Sequence, residues 1–129
     1  NKATADDFEN IAVVVTYENG SIGNLLYLTQ GATSVPKEFL EVFGGGRSAQ
    51  LHNFESVTLF EGPRRRNIRN RRLDKGQQEE MKAFVGAVAA GEPMPILLES
   101  LMDTSATTLA ACESLRRGTT VSIAEFWCE

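Results

Sequence analysis

The polar residues that lead into the third predicted strand are the ones best suited to chemistry. Ser34, Lys37 and Glu38 stand in one short segment around Pro36. Binding residues concentrate on loops held by regular elements, so an ammonium or a carboxylate here could be aimed at a polar ligand. A local ion pair between Lys37 and Glu38 is the alternative that needs no ligand. The sequence leaves both interpretations open.

His52 and the glycine run Gly44–Gly46 are two further candidates. A catalytic triad built on His52 would need serine and aspartate partners that the sequence does not place, so a surface or hydrogen-bonded histidine is favoured. The three glycines lack the G-x-G-x-x-G spacing of a dinucleotide-binding loop and lie between two strand-like segments. The run therefore predicts a hairpin turn.

The segment Arg64–Arg72 carries six of the 13 lysine and arginine residues of the chain. Such a run could bind an anionic partner. It holds no aromatic residue for base stacking, and the whole chain has a formal net charge of −4. A solvated edge strand, whose like charges discourage pairing between sheets, is favoured, and no nucleic-acid partner is expected.

The composition indicates one ordinary globular domain of 129 residues, 42% of them hydrophobic and 23% charged. No apolar run approaches the roughly 20 residues of a membrane-spanning helix, and no signal segment opens the chain. Cys112 and Cys128 do not suggest a disulfide framework, so reduced thiols and a cytoplasmic location are expected. Because the chain has one histidine and no Cys/His cluster, no metal site is expected.

Strands and turns are predicted throughout the first half of the chain. Asn19-Gly20 predicts a hairpin turn in which both residues have positive φ. The segments on either side are apolar on both faces, which indicates a sheet that is covered on both sides. The predicted strands cover Glu9–Glu18, Ser21–Thr29, a segment that starts after Pro36 and ends at the glycines, Ser48–Asn53, Ser56–Glu61, and an edge ribbon within Arg64–Arg72.

Two helices are predicted in the second half. Asp74 with Gln77 fits a capping pair at the start of the first, and Gly91 ends it. The second runs from about Leu98 to Arg117, and Thr119–Ile123 could form one more strand. The element order predicts an α+β fold, namely an open, mainly antiparallel β-sheet with two principal helices packed on one face.

Several short motifs follow one another between Glu9 and Gly118. They are Tyr17-Glu18-Asn19-Gly20-Ser21-Ile22-Gly23, Leu26-Tyr27, Gln30-Gly31, Pro36-Lys37-Glu38, Glu41-Val42-Phe43-Gly44-Gly45-Gly46-Arg47, Asp74-Lys75-Gly76, Ala83-Phe84, Pro95-Ile96 and Glu113-Ser114-Leu115. In their order and spacing the chain resembles the C-terminal domain of the glucose–fructose oxidoreductase/inositol dehydrogenase (Gfo/Idh/MocA) family. The branch that it resembles most is fused to, or associated with, zinc-type alcohol dehydrogenases in surface-polysaccharide pathways.

The resemblance implies one half of a NAD(P)-dependent oxidoreductase that acts on a sugar, sugar-nucleotide or cyclitol hydroxyl. In this family an N-terminal Rossmann domain binds NAD or NADP and carries a catalytic lysine. The C-terminal domain is an open sheet whose helical face joins the Rossmann domain and whose bare face forms homo-oligomers. Residues 1–129 would then be the substrate and oligomerisation domain, with 1–8 as a flexible lead-in.

The chain departs from the whole-family pattern because it contains no G-x-G-x-x-G, no Glu-Lys-Pro and no Asp-x-x-x-His before the first strand. As a fragment it should carry no catalytic residue, bind no cofactor and be inactive alone. The resemblance maps substrate contacts to the segment Ser34–Glu38, with Lys37 first and Ser34 and Glu38 behind it. A lysine there could hold a carboxylate or phosphate of a sugar derivative. The competing expectation is a free-standing binding module that uses Arg64–Arg72 for an anionic partner.

Overall fold

The computed structural model describes residues 10–70 and 72–127. The lead-in at residues 1–8 and Cys128 lie outside this part of the chain. The elements are β1 (Asn10–Thr16), β2 (Ile22–Leu28), β3 (Phe39–Gly44), β4 (Arg47–His52), β5 (Ser56–Glu61), β6 (Arg64–Arg69), α1 (Gln77–Ala90), α2 (Leu98–Arg117) and a 3₁₀ turn over Ile123–Phe126. The α+β class with an open antiparallel sheet is confirmed.

The strands form two sheets, where the sequence analysis expected one. β1 and β2 pair with each other, and β3 to β6 form a four-stranded sheet in chain order. All pairs are antiparallel. The chain divides into two compact units, the first made of Asn1–Gly31 with Met94–Glu129 and the second of Ala32–Pro93.

The first unit contains the β1–β2 hairpin, and its turn differs from the predicted one. Gly20 has a φ of 82°, but Asn19 is not left-handed. The Gly20 N–H donates to the Tyr17 carbonyl over 2.9 Å and the Tyr17 N–H donates to the Ser21 carbonyl over 3.0 Å. This pattern is a longer loop in which a glycine alone takes the left-handed position. The prediction of a two-residue turn with positive φ at Asn19 was therefore wrong, although the hairpin is confirmed.

Helix α2 has the predicted bounds and ends at Gly118, whose φ of 68° lets its N–H return to the Ser114 carbonyl. The strand predicted over Thr119–Ile123 is absent from the structure. Instead, Ser122 and Glu125 form a reciprocal capping box that starts the 3₁₀ turn. These local hydrogen bonds fix a turn where a strand would need a partner strand.

An ion-pair network closes the C-terminal end of α2. The Arg116 Nε donates to the Glu113 carboxylate over 2.7 Å, and Arg117 bridges Glu113 and Glu125. Hydrogen bonds from Arg116 first, then from Arg117, lower the pKa of Glu113 to about 2. The cations also lie at the negative end of the helix dipole. The network thus joins the helix end to the 3₁₀ turn.

The second unit contains the four-stranded sheet, and tight turns set its register. Gly45 and Gly46 have φ of 56° and 73°, and they join Gly44 to its cross-strand partner Arg47. This two-residue turn with positive φ at both positions confirms the predicted hairpin at the glycine run. Direct cross-strand partners point to the same side of a sheet, so the register assigns every side chain of β3 to β6 to a face.

One face of this sheet is mostly apolar and the other is mostly polar. The first, called here the apolar face, carries Leu40, Val42, Ala49, Leu51, Val57, Leu59 and Ile68, with the charged residues Arg47, Glu61, Arg64 and Arg66 toward one end of the sheet. The opposite face, called here the polar face, carries Phe39, Glu41, Phe43, Ser48, Gln50, His52, Ser56, Thr58, Phe60, Arg65, Asn67 and Arg69. Thr58 is buried within the polar face, with 3% of its surface exposed.

Helix α1 starts later than the predicted capping pair. Gly76, with a φ of 81°, is the N-cap residue, and no side chain caps the helix. Asp74 instead accepts a hydrogen bond from the Gly76 N–H at 2.8 Å, so it stabilises the turn before the helix. The pairing of Asp74 with Gln77 was wrong. Gly91 ends the helix in the left-handed conformation, as predicted.

Candidate functional site

An open cleft lies at the end of the four-stranded sheet where β3 and β5 begin and β4 and β6 end. Its volume is about 400 Å³, within the general range of roughly 300–1,000 Å³ for small-molecule sites. The residues that line it are Pro36, Glu38, Phe39, His52, Asn53, Glu55, Ser56, Asn67 and Arg69. The set combines carboxylate, amide, hydroxyl, imidazole and guanidinium groups with one exposed aromatic ring.

The sheet register brings four of these side chains into one row. Phe39 pairs with His52, His52 with Ser56, and Ser56 with Arg69. All four therefore project from the polar face. The rings of Phe39 and His52 lie 5.1 Å apart at a tilt of 55°, a geometry typical of aromatic neighbours. One edge of the row is thus apolar and the other is cationic.

Glu38 stands at the entrance to β3 and is half-buried. One carboxylate oxygen, Oε1, forms an ion pair with the Lys75 ammonium. The other oxygen, Oε2, is buried and accepts no hydrogen bond from any described residue. A buried acceptor without a donor is costly. The backbone is fixed as well, because the Asn53 N–H donates to the Glu38 carbonyl over 2.7 Å.

The turn between β4 and β5 is strained. Asn53 and Phe54 have φ of 48° and 56°, and they are the non-glycine residues with positive φ in the described part of the chain. The Glu55 N–H closes the turn on the His52 carbonyl over 2.9 Å. A phenylalanine pays a steric cost in this conformation because its Cβ approaches the following carbonyl. Strained backbone of this kind concentrates at functional sites.

The strained turn supports Glu38 through Lys75. The Lys75 Nζ lies 5.5 Å from the centre of the Phe54 ring, within reach of a cation–π interaction. The same ammonium pairs with Glu38, and both side chains are about one-third exposed, at 34% and 35%. Phe54, Lys75 and Glu38 therefore form a short chain of contacts behind the cleft.

Arg69 and Glu55 contribute the opposite charges of the cleft wall. The Asn53 side-chain amide donates to the Glu55 carboxylate over 3.2 Å, and the Asn70 N–H donates to the Glu55 carbonyl over 2.8 Å. Among the ion pairs of residues 10–70 and 72–127, neither Arg69 nor Glu55 takes part. The two residues also line an adjoining recess with Arg72. The guanidinium of Arg69 is thus available to an anionic group.

The residues singled out from the sequence separate into two groups. Glu38 lines the cleft. Ser34 and Lys37 are exposed in the turn-rich segment before β3 and do not line the cleft. The ion pair considered between Lys37 and Glu38 is replaced by the one with Lys75, which lies closer in space although it is distant in sequence. His52 is exposed on the polar face, in agreement with the favoured surface or hydrogen-bonded reading.

The basic segment forms the edge strand that the sequence predicted. β6 pairs with β5 alone within the described sheet, and its residues alternate between the two faces. Arg65 lies over the Phe60 ring at 5.9 Å. Arg64 and Arg66 project from the opposite face. The arginines therefore do not form one continuous patch, although Arg69 reaches the cleft.

Asn67, Ser56 and Glu55 are site residues that sequence reasoning missed, and Arg69 was considered only as part of the basic segment Arg64–Arg72. The available signal was the register of three successive tight hairpins, which places the start of β5 and the end of β6 beside His52. No group of three or more metal-ligating side chains lies together in the described residues. No helix in that part of the chain has the length and apolarity needed to cross a membrane.

Comparisons with protein-family models, with curated proteins and with solved structures gave no match for this chain.

Proposed function

We propose that this chain is the substrate-binding and assembly domain of a NAD(P)-dependent oxidoreductase that acts on a sugar, sugar-nucleotide or cyclitol hydroxyl. The observation that carries the proposal is the cleft beside Glu38. It is bounded by the segment that the Gfo/Idh/MocA resemblance associates with substrate, and it has the size and polar lining that a small polyhydroxylated molecule requires.

The cleft suits a sugar because acceptors and donors alternate around it. The Glu38 carboxylate is an acceptor whose Oε2 has no donor among the described residues, whereas Ser56 and Asn67 can both donate and accept. The Phe39 ring offers an apolar surface beside them. Sugars present hydroxyl groups next to apolar C–H faces, so both parts of the lining have a counterpart in the ligand.

The chemistry of hydride transfer would come from another part of the protein. The 129 residues contain no G-x-G-x-x-G sequence, and neither NAD nor NADP is assigned to the cleft. In the proposal the chain holds the substrate, and its own N-terminal Rossmann domain binds the cofactor and supplies the catalytic residues. The fragment alone is then inactive. The reduced-thiol expectation favours the cytoplasm as its compartment.

The apolar face of the four-stranded sheet supports the assembly role. Within the second unit Leu40, Val42 and Ile68 are exposed at 55%, 53% and 45%, and they belong to one contiguous apolar surface. Exposed surfaces of this kind are typical of protein–protein contacts. A homo-oligomer formed through this sheet face is therefore part of the proposal.

The coding region directly upstream of Asn1 tests the proposal. A reading frame that encodes a strand, G-x-G-x-x-G and a helix, followed by Glu-Lys-Pro and Asp-x-x-x-His, would support it. The protein expressed from that whole frame should then reduce NAD or NADP when supplied with sugars, and its A340 should rise. An upstream frame without these motifs, and a protein without this activity, would contradict it.

A binding module that uses the basic edge strand is the second candidate function. The observation in its favour is the exposed edge of β6 with its arginines on both faces. Binding to a polyanion such as heparin would then weaken steeply between 50 and 200 mM salt, on the order of 10³-fold if about six phosphates or sulfates are neutralised. A flat salt response would exclude this candidate.

A further inference from the structure

We infer that the cleft takes an anionic sugar, one that carries a carboxylate or a phosphate beside its hydroxyl groups, and that Arg69 selects for the anion. This inference deepens the proposed function because it names the class of substrate. It does not depend on the catalytic step, since it concerns the binding of a ligand to this chain alone.

Arg69 is the cationic side chain that lines the cleft and would bind the anionic group. It ends β6 in the same cross-strand row as Ser56, and it lines both the cleft and the adjoining recess. No ion pair among the described residues neutralises it. A guanidinium binds a carboxylate or phosphate through two parallel hydrogen bonds, which a neutral hydroxyl cannot reproduce.

Glu38 fixes the opposite end of the ligand. Its Oε1 is taken by Lys75, and its buried Oε2 needs a donor. The ion pair with Lys75 reduces the repulsion between the Glu38 carboxylate and a nearby anion. A ligand hydroxyl that gains access to Oε2 on binding would therefore satisfy Glu38, while the anionic group turns toward Arg69.

Glu55 is the competing charge of the site. Its carboxylate lines the cleft with Arg69 and accepts a hydrogen bond from Asn53. In the free protein it lowers the local positive potential without forming an ion pair. Replacement of this carboxylate by an amide of the same shape should therefore strengthen the binding of an anionic sugar more than that of a neutral sugar.

The test measures dissociation constants of the 129-residue chain for glucuronate, glucose 6-phosphate and glucose by heteronuclear NMR titration. Either anionic sugar should bind about tenfold more tightly than glucose, because a charge-assisted pair replaces a neutral contact. The stronger of the two identifies a carboxylate or a phosphate as the natural group. Equal affinity for all three sugars, or no binding of any, would overturn the inference.

Variants of one strand provide matched controls. Arg69→Ala should weaken the binding of the anionic sugar about tenfold and leave glucose unchanged. Arg66→Ala removes the same charge from the same strand but on the opposite face. It should change neither the affinity for the anionic sugar nor the affinity for glucose. Glu55→Gln should tighten the binding of the anionic sugar. Equal losses in the Arg69 and Arg66 variants would show general attraction to a basic strand and would contradict a site.

Inorganic phosphate separates a sugar site from a site for anions alone. It should displace the anionic sugar only at concentrations far above that sugar's own dissociation constant, since it cannot reach Glu38. Displacement at the same concentration would overturn the sugar part of the inference. Because no cofactor enters these titrations, a negative upstream sequence would refute the proposed oxidoreductase while a selective Arg69 effect remained valid.

Discussion

The left-handed conformation of Phe54 makes a quantitative prediction about the turn beside the cleft. Its φ is 56°, and an L-residue other than glycine pays about 1–2 kcal/mol in this region. Glycine pays no such steric cost but loses about 0.5–1 kcal/mol of backbone entropy relative to alanine in ordinary positions. The variant Phe54→Gly should therefore be more stable than Phe54→Ala by about 1 kcal/mol.

Comparison of the two variants removes the contribution of the ring. Both variants lose the contact between Phe54 and Lys75, so the difference between their free energies of unfolding reports the backbone alone. Urea unfolding followed by far-UV circular dichroism measures it, and a difference of about 1 kcal/mol corresponds to roughly 3–5 °C in Tm for a chain of this length. Phe43, exposed on β3 at ordinary φ, is the control. There, the alanine variant should be the more stable one. If Phe54→Ala were as stable toward urea as Phe54→Gly, or more stable, the proposed backbone strain at Phe54 would be refuted.

Two further predictions concern the helix end and the apolar face. Glu113→Gln should destabilise the protein near neutral pH because the Glu113 pKa is depressed to about 2. The stability advantage of the parent is present above the ordinary pKa of 4.5 and is lost as the pH falls toward 2, so the Tm values of the two proteins should differ near neutral pH and converge at low pH. Equal Tm values near neutral pH would show that the network stabilises nothing. Val42→Lys should weaken self-association in sedimentation velocity by placing a charge in the apolar face, whereas Phe43→Lys on the polar face should not. Equal effects of both substitutions would count against the sheet face as the interface.

Much of the fold could be predicted because its signals are local. The predicted strand segments lie close to the observed ones, the glycine run Gly44–Gly46 predicted a turn, and the second helix has its predicted bounds. Errors arose where one motif suits two geometries. Asn19-Gly20 fits a two-residue turn and also a longer loop in which glycine alone is left-handed. Asp74 can cap a helix or the turn before it.

The cleft was beyond the reach of local patterns because it depends on register. Glu38 was singled out from its position before β3, but its partner Lys75 lies 37 residues away. The sequence predicted Arg69 only as one charge of a solvated edge strand. In the structure, its pairing with Ser56 places it at the same end of the sheet as His52. The strained turn that supports Glu38 contains no glycine, so its sequence did not indicate residues with positive φ.

The most direct test of the central claim is the steady-state kinetics of the protein expressed with its upstream coding region, measured as NAD(P)H formation over a range of sugar concentrations. Removal of the Glu38 acceptor in the variant Glu38→Ala should raise KM for the sugar about tenfold or more and leave the KM for the nucleotide unchanged. Glu41→Ala, which alters a carboxylate on the same polar face outside the cleft, should change neither. A KM for the sugar that is unaffected by Glu38→Ala would contradict the assignment of this cleft as the substrate site.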